Sequence, residues 1–355
     1  MKIALIGLPQ TGKKTVFSLL TGMGLDHLLG RPGEYHIGAV KVADPRVDKL
    51  SGMYNPKKTK YAEIECTLAP APPQQAKARD QWLQTLKNMD ALCHVVRAFD
   101  RETDPSEDIS KMNLELAISD LSLIEKRLDR IAEDQKKKRD DDRAKEAELL
   151  ERLKPHLEAG KLLRDYPWAE GEEKRVRSLQ FLTLKPLVTV FNGSVSGAGV
   201  SPVHVEDAPN GRDARSTMTC RLNAKDELEV SQIEDPKERA EFLAALGVEE
   251  PAIHLLTRLL YKALGYISFF TTGEDEVRAW TIRHGSTAVE AAHAIHSDLA
   301  RGFIRAEVMK YHELIAAGDK GHAAEVHLKE TGRLLLKEKD YIVEDGDIVH
   351  IRHSG

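Results

Sequence analysis

The hydrophobic and polar positions change period several times along the chain. Residues 2–6 (Lys-Ile-Ala-Leu-Ile) form a short β-prone apolar run, the signature of a buried parallel strand. A glycine-containing stretch, Gly7 to Thr15, follows, and Val16, Phe17, Leu19 and Leu20 then begin a helical pattern. Further on, Leu114, Ile118, Leu121, Ile124, Leu128 and Ile131 recur every three to four residues, as along one face of a helix. A charged stretch from Asp134 to Arg143 interrupts this stripe, and Leu150, Leu153 and Leu157 resume it, with Pro155 expected to disturb it locally. Two such helices with a polar connection predict an antiparallel arm. Leu184 to Phe191 and Ser216 to Arg221 are predicted strands, and residues 193–217 a long surface loop between them. Asp235 to Leu246 and Glu250 to Leu264 are predicted amphipathic helices.

The last 84 or so residues alternate differently. Strand Val277–Ile282, helix Thr287–Ile295, strand Phe303–Val308 and a final hairpin (Arg333–Leu336, then Tyr341–Val343 and Ile348–Ile351) fit a β-grasp fold, with Asp345-Gly346-Asp347 as the tight turn. The pattern as a whole predicts an α/β protein of more than one domain.

The first loop carries specific chemistry. Strand, G-x-x-x-x-G-K, helix is the context of a phosphate-binding P-loop. Gly7 and Gly12 allow backbone conformations that other residues avoid. Amide groups from about Pro9 onward, through Gln10, Thr11, Gly12, Lys13, Lys14, Thr15 and Val16, are placed to curl around phosphate oxygens, with the helix N-terminus adding its dipole. Lys13 is placed to reach the β- and γ-phosphates. The position after Gly-Lys normally supplies a Ser or Thr hydroxyl to Mg²⁺, and here it is Lys14.

Composition narrows the function. With 52 Lys and Arg against 57 Asp and Glu, the net charge of -5 excludes a generally basic nucleic-acid coat. Three scattered cysteines without a CxxC argue against a disulfide framework or zinc site and for a reducing compartment. The N-terminal apolar run is too short for a signal peptide, and no stretch approaches the ~18 apolar residues of a membrane span. A cytoplasmic protein with no membrane partner is expected.

At these residues the chain resembles the YchF family, the Obg-like ATPases, whose loop reads G-L-P-N-V-G-K-S-T against Gly7-Leu8-Pro9-Gln10-Thr11-Gly12-Lys13-Lys14-Thr15 here. Asp44-Pro45-Arg46 with Leu50, the strand from Asp90-Ala91 to Phe99, and Lys185-Pro186-Leu187-Val188 through Asn192 are similar to further family segments. So are Glu276-Val277-Arg278-Ala279-Trp280-Thr281, Gly302 to Val308, and Asp345-Gly346-Asp347, which resemble the family's C-terminal TGS domain. The resemblance implies a P-loop NTPase domain with a parallel-rich sheet (1–111 and 178–271), an inserted antiparallel helical coiled-coil arm (112–177) and a β-grasp TGS-like domain (272–355). It implies ATP or GTP as ligand, with Asn192, Gly193, Asn223, Ala224 and Lys225 around the base. It also implies a ribosome or RNA partner, met through the TGS-like domain and the arm.

Departures from the family bear on activity. The Mg²⁺-ligating Ser is Lys14, and the D-x-x-G expected near Leu68-Ala69-Pro70-Ala71 has neither Asp nor Gly. Residues 26–43 contain no Thr or Ser for the first switch. Asn192-Gly193-Ser194-Val195 keeps the Asn of N-x-x-E and lacks the acid, leaving the choice of base open. P-loop phosphoryl transfer depends on the metal ion, so three missing supports predict impaired or absent hydrolysis. Lys13 and Lys14 together suggest phosphate neutralised without metal. The other readings are an empty, vestigial loop and a slow ATPase or GTPase with unusual metal geometry.

Other chemistry is weaker. The lysines near the arm tip could touch RNA, but three aspartates balance them, as in a solvated turn. Residues 272–355 carry fifteen acids against eleven Lys and Arg, giving no RNA footprint by charge. His293 with His296, and His350 with His353, lack a third ligand. Cys93 and His94 are strand neighbours on opposite faces, so core packing is expected. Glu63 and Glu65 share one side of a strand and are expected on an exposed edge.

Overall fold

The computed structural model describes residues 1–31, 33–99, 104–137, 140–193, 218–245, 250–318 and 320–354. Their strands, in chain order, are β1 (Lys2–Ile6), β2 (His36–Lys41), β3 (Lys58–Lys60), β4 (Glu63–Leu68), β5 (Ala91–Arg97), β6 (Leu187–Asn192), β7 (Met218–Leu222), β8 (Tyr266–Thr271), β9 (Glu276–Arg283), β10 (Phe303–Lys310), β11 (Leu335–Lys337) and β12 (Asp347–His353). The chain falls into two compact units, Met1–Ala39 with Glu65–Ala263, and Val40–Ile64 with Leu264–Gly355.

The first sheet has the order β2-β4-β1-β5-β6-β7. The β4–β1, β1–β5, β5–β6 and β6–β7 pairings are parallel. Strand β4 is therefore interior, which corrects the exposed edge expected around Glu63 and Glu65; Glu65 meets Lys2 of the neighbouring strand at 3.4 Å. The predicted strand from Leu184 starts at Leu187, just after Pro186. Leu92 of β5 faces a core of Ile6, Trp82, Leu86, Met112 and Leu116. Helices α1 (Lys13–Thr21), α2 (Leu25–Leu29), α3 (Pro45–Tyr54), α4 (Ala76–Lys87), α5 (Pro105–Lys137) and α6 (Asp141–Glu158) follow in chain order. Trp82 and Leu86 bring α4 into that core, and Met112 and Leu116 bring α5.

The two arm helices are present, but the apolar stripe of α5 divides. Leu114 and Ile118 are more than 40% exposed, at 58% and 45%, while Met112, Leu116 and Ala117 are buried. The first turns of α5 pack on the sheet and only the later ones on α6, so two faces of one helix are used in succession. Ile124 and Ile131 pack with Leu149, Leu150, Leu153 and Leu157 of α6. Arg127 grips Glu146 through two 2.8 Å bonds across the helix pair. Pro155 lies three residues from the end of α6, where the helix runs through it. The buried Asp120 carboxylate accepts from the Leu182 and Thr183 amides at 2.9 and 2.8 Å and fastens α5 to the segment leading into β6. Asp140 caps α6, accepting from the Asp142 amide at 3.0 Å, and Arg143 pairs with Asp134. Lys138 and Arg139, and most of the predicted 193–217 loop, lie outside the described residues.

The second unit holds the sheet β11-β10-β12-β8-β9-β3. Residues 40–64, read from the sequence with the nucleotide domain, belong here: β3 pairs parallel to β9, with Lys60 beside Arg278. The final hairpin is also corrected. Strand β11 pairs antiparallel with β10 and not with β12, and Ile342 makes an isolated bridge to Thr287. Gly346 turns the chain into β12 with φ 89, a conformation suited to glycine. Thr287 and Glu290 form a capping box that opens the helix Ala288–Ile295. Phe269, Ile282, Ala291, Val308 and Val349 fill the core between sheet and helix. His296 caps the next helix, accepting from the Asp298 amide at 3.2 Å, and His350 bonds Thr272 at 3.1 Å. Among the described residues no helix is long and apolar enough to cross a membrane.

Candidate nucleotide-binding site

Buried β1 delivers the chain into the glycine loop, and close packing explains both glycines. A Cβ at Gly7 would stand 2.6 Å from the Val95 carbonyl oxygen of β5. One at Gly12 would stand 2.1 Å from Asn192 Nδ2, and Gly12 has φ 81. Between them Gln10 holds a left-handed conformation, φ 63, at the exposed tip beside Pro9. Thr11 is buried and its hydroxyl donates to the Leu8 carbonyl at 3.2 Å.

Gly12 caps α1 with no side-chain hydrogen bond, so among the described residues no cap side chain takes up the first-turn amides. Lys13 Nζ donates to the Gly7 carbonyl at 2.8 Å and to Leu8 at 3.3 Å, bracing the loop from within. Burial, and then the neighbouring charge of Lys14, lowers its pKa to about 8. Thr15 is half-buried beside it. Val16 is fully buried in the core, so it faces the loop only through its backbone.

Lys14 takes a different path. Its ammonium donates to the Leu28 carbonyl of α2 at 2.6 Å. At the end of β4, Leu68 and Ala69 are buried and apolar, the Ala69 amide bonds Leu5, and the Pro70 carbonyl accepts from the Trp82 indole at 3.1 Å. Neither position presents an oxygen side chain to a metal ion. Among the described residues no cluster of three or more His, Cys, Asp or Glu is arranged to hold one.

The other wall comes from the ends of β6 and β7. Asn192 is 5% exposed; its Nδ2 donates to the Thr11 carbonyl and its Oδ1 accepts from the Ala224 amide, both at 2.9 Å. One amide side chain thus ties the P-loop to the turn after β7. Gly193 lies where a Cβ would meet the Ala98 carbonyl at 2.2 Å. Asn223 caps the helix Ala224–Ser231, accepting from the Lys225 and Asp226 amides at 3.2 and 3.4 Å, and Lys225 is exposed at its start. Asn192, Asn223, Ala224 and Lys225 therefore converge beside the loop, although Asn192 spends its hydrogen bonds on backbone. Ser194 and Val195 lie outside the described residues.

Cys93 and His94, expected from the sequence to pack in the core, are both buried in β5. His94 is 1% exposed, with both ring nitrogens unpaired among the described residues. Burial, then the charges of Lys13 and Arg164, pushes its pKa down to about 3, so the ring is neutral. Burial raises the Cys93 thiol well above its usual range, and the two side chains point to opposite faces, which leaves no thiolate–imidazolium pair.

Comparison with known proteins decides the family. The chain is 36% identical to the "Ribosome-binding ATPase YchF" of Bacillus subtilis, over 99% of this chain and 98% of that protein. It is 33% identical to the protein of the same name from Haemophilus ducreyi, over 99% of each. The chain belongs to the YchF family. A family model described as "YchF-GTPase_C: Protein of unknown function (DUF933)" matches residues 266–354. The structure of the Schizosaccharomyces pombe YchF GTPase covers 99% of this chain and 97% of its own, with 26% identity and a TM-score of 0.79. The α/β architecture with its helical insertion and C-terminal unit is thus that of the YchF family.

Proposed function

We propose that this YchF-family chain binds ATP or GTP at the Gly7–Val16 loop with impaired or absent hydrolysis, and serves as a ribosome- or RNA-associated adaptor in translation or stress response. One observation carries the reading: the residue after Gly12-Lys13 is Lys14, and its ammonium is committed to the Leu28 carbonyl. Loop amides and Lys13 suit phosphate oxygens, whereas the Mg²⁺ side of the site offers an ammonium and the apolar end of β4. Mg²⁺ would supply charge neutralisation and alignment of the γ-phosphate, which are the functions left unsupported here. Asn192 keeps the loop beside Asn223, Ala224 and Lys225, which are assigned to the base end. The family boundaries 1–111 with 178–271, 112–177 and 272–355 remain our reading of the evolutionary modules, the last being TGS-like, although residues 40–64 fold with the last of them.

The ribosome enters through relatives that carry "ribosome-binding" in their names. Phosphate release from Mg-ATP and Mg-GTP, measured beside co-sedimentation with purified ribosomes, tests both halves. Bound nucleotide with release at background and co-sedimentation is expected. Sustained turnover would replace the adaptor by a slow ATPase or GTPase, and loss of co-sedimentation would remove the ribosome from the account.

A further inference from the structure

The segment that leaves α1 is stitched back onto it. Gly22, with φ 72, ends the helix, and its amide donates to the Ser18 carbonyl at 2.8 Å. The chain then reverses, and three side chains of α1 hold it. Thr21 Oγ1 accepts from the Met23 amide at 3.3 Å, and Ser18 Oγ donates to the Met23 carbonyl at 2.7 Å. Lys14 Nζ donates to the Leu28 carbonyl at 2.6 Å. Lys14, Ser18 and Thr21 follow one another at helical spacings of four and three, so one face of α1 carries all three bonds.

Packing holds the same segment. Leu28 is fully buried, and within α2 its amide donates to Gly24 at 3.4 Å while that of Gly30 donates to Asp26 at 2.9 Å. The His27 ring meets His36 of β2 edge-on, with 5.9 Å between ring centres. A Cβ on Gly38 would stand 2.6 Å from Thr21 Cγ2, so β2 also lies close against α1.

This stretch runs ahead of Asp44-Pro45-Arg46, where the first switch is expected. In P-loop switches that segment is ordered by the γ-phosphate and Mg²⁺ and released on hydrolysis. Here residues 26–43 offer no hydroxyl of Ser or Thr to the ion, and every partner in the three bonds belongs to the chain. One substitution does two things: Lys14 removes the loop hydroxyl that would ligate the metal, and its ammonium fastens α2 by a charged hydrogen bond to a last-turn carbonyl.

We propose that residues 23–30 are a first switch locked onto α1, held in one position whether the loop carries a triphosphate, a diphosphate or no nucleotide. The proposal rests on the nucleotide reading above for its ligand. It adds the regulation of that site: occupancy is not signalled through this segment.

Hydrogen–deuterium exchange on the full chain tests it, read over peptides spanning residues 22–31 without nucleotide and with saturating ATP, GTP or ADP. Calorimetry on the same samples sets the occupancy. The nucleotide-free parent is expected to protect this stretch, and exchange is expected to stay within about twofold across all four conditions. Lys14→Ser cuts the tie to Leu28 and is expected to speed exchange of the stretch roughly tenfold in the nucleotide-free chain. Lys14→Arg keeps a cation of similar reach and is expected to exchange as the parent does. Fast exchange in the nucleotide-free parent that ATP slows tenfold or more would overturn the proposal, and so would equal exchange in Lys14→Ser and the parent. Nucleotide binding is read separately. A parent chain that binds neither ATP nor GTP removes the nucleotide reading, and the lock is then decided on the nucleotide-free chain: protection lost in Lys14→Ser upholds it, and no difference overturns it.

Discussion

Arg46 donates to Asp345 at 2.7 Å across 299 residues of sequence. Its other edge holds Asp44, with Nε at 3.0 Å and Nη2 at 2.8 Å, and the guanidinium lies 5.1 Å from the centre of the Phe270 ring. A Cβ on Gly346 would come within 2.9 Å of Arg46 Nη1. The Asp-Pro-Arg and Asp-Gly-Asp segments are thus two halves of one clasp inside the second unit. A lysine cannot fork between two carboxylates, so Arg46→Lys is expected to lower stability by about 1.5–3 kcal/mol. Urea denaturation reads this directly, and a midpoint equal to that of the parent would show the clasp to be dispensable.

Asn192 is a second tie, between the Thr11 carbonyl and the Ala224 amide. Asn192→Ala leaves both backbone groups without their partner in a buried place, at a cost of about 1–3 kcal/mol for each group left unsatisfied. The variant is expected to lose stability and to bind nucleotide at least ~10-fold more weakly, since each 1.4 kcal/mol is a factor of ten. Parent-like affinity would mean the loop holds its shape unaided.

The lowered pKa of Lys13, about 8, makes nucleotide binding draw protons from solution. Phosphate oxygens stabilise the ammonium and raise that pKa, so the chain takes up a fraction of a proton per nucleotide near pH 8. At pH 6.5 Lys13 is already charged and no uptake is expected. Calorimetry in buffers of different ionisation enthalpy measures the difference. Uptake that is the same at both pH values would place the ligand elsewhere.

His94 gives the stability of the first unit a pH dependence. Its folded pKa of about 3 lies below the ordinary 6.5, so the unfolded chain binds the proton first as pH falls. Its contribution is fully present above pH 6.5 and is lost as pH drops toward 3, with a slope of up to about 1.4 kcal/mol per pH unit. His94→Leu is expected to flatten the profile of unfolding free energy below pH 6.5. Parallel profiles for parent and variant would contradict the assignment.

Local pattern made much of this fold legible. The strand, glycine loop and helix of residues 2–20 are contiguous, and the strands before Asn192 and after Thr217 carry their own apolar runs. What stayed hidden depends on partners far along the chain. Periodicity places Leu114, Ile118 and Ile124 on related turns of one helix, but only packing shows that the sheet and α6 claim different faces. A three-residue strand such as Lys58–Lys60 has too little pattern to announce that it joins β9. Asn192 could be placed near the base, whereas its pull on the Thr11 carbonyl required the loop geometry. Lys14 was visible as a substitution, and its bond to Leu28 was not, because nothing local fixes where a long flexible side chain ends.

Calorimetric titration of ATP and GTP, each with Mg²⁺ and with EDTA, tests the central claim most directly. The account predicts binding of at least one nucleotide with an affinity that EDTA leaves unchanged, and loss of that binding in Lys13→Ala. Binding that requires Mg²⁺ would contradict it and restore a metal-assisted site, and no binding under either condition would reduce the glycine loop to scaffold.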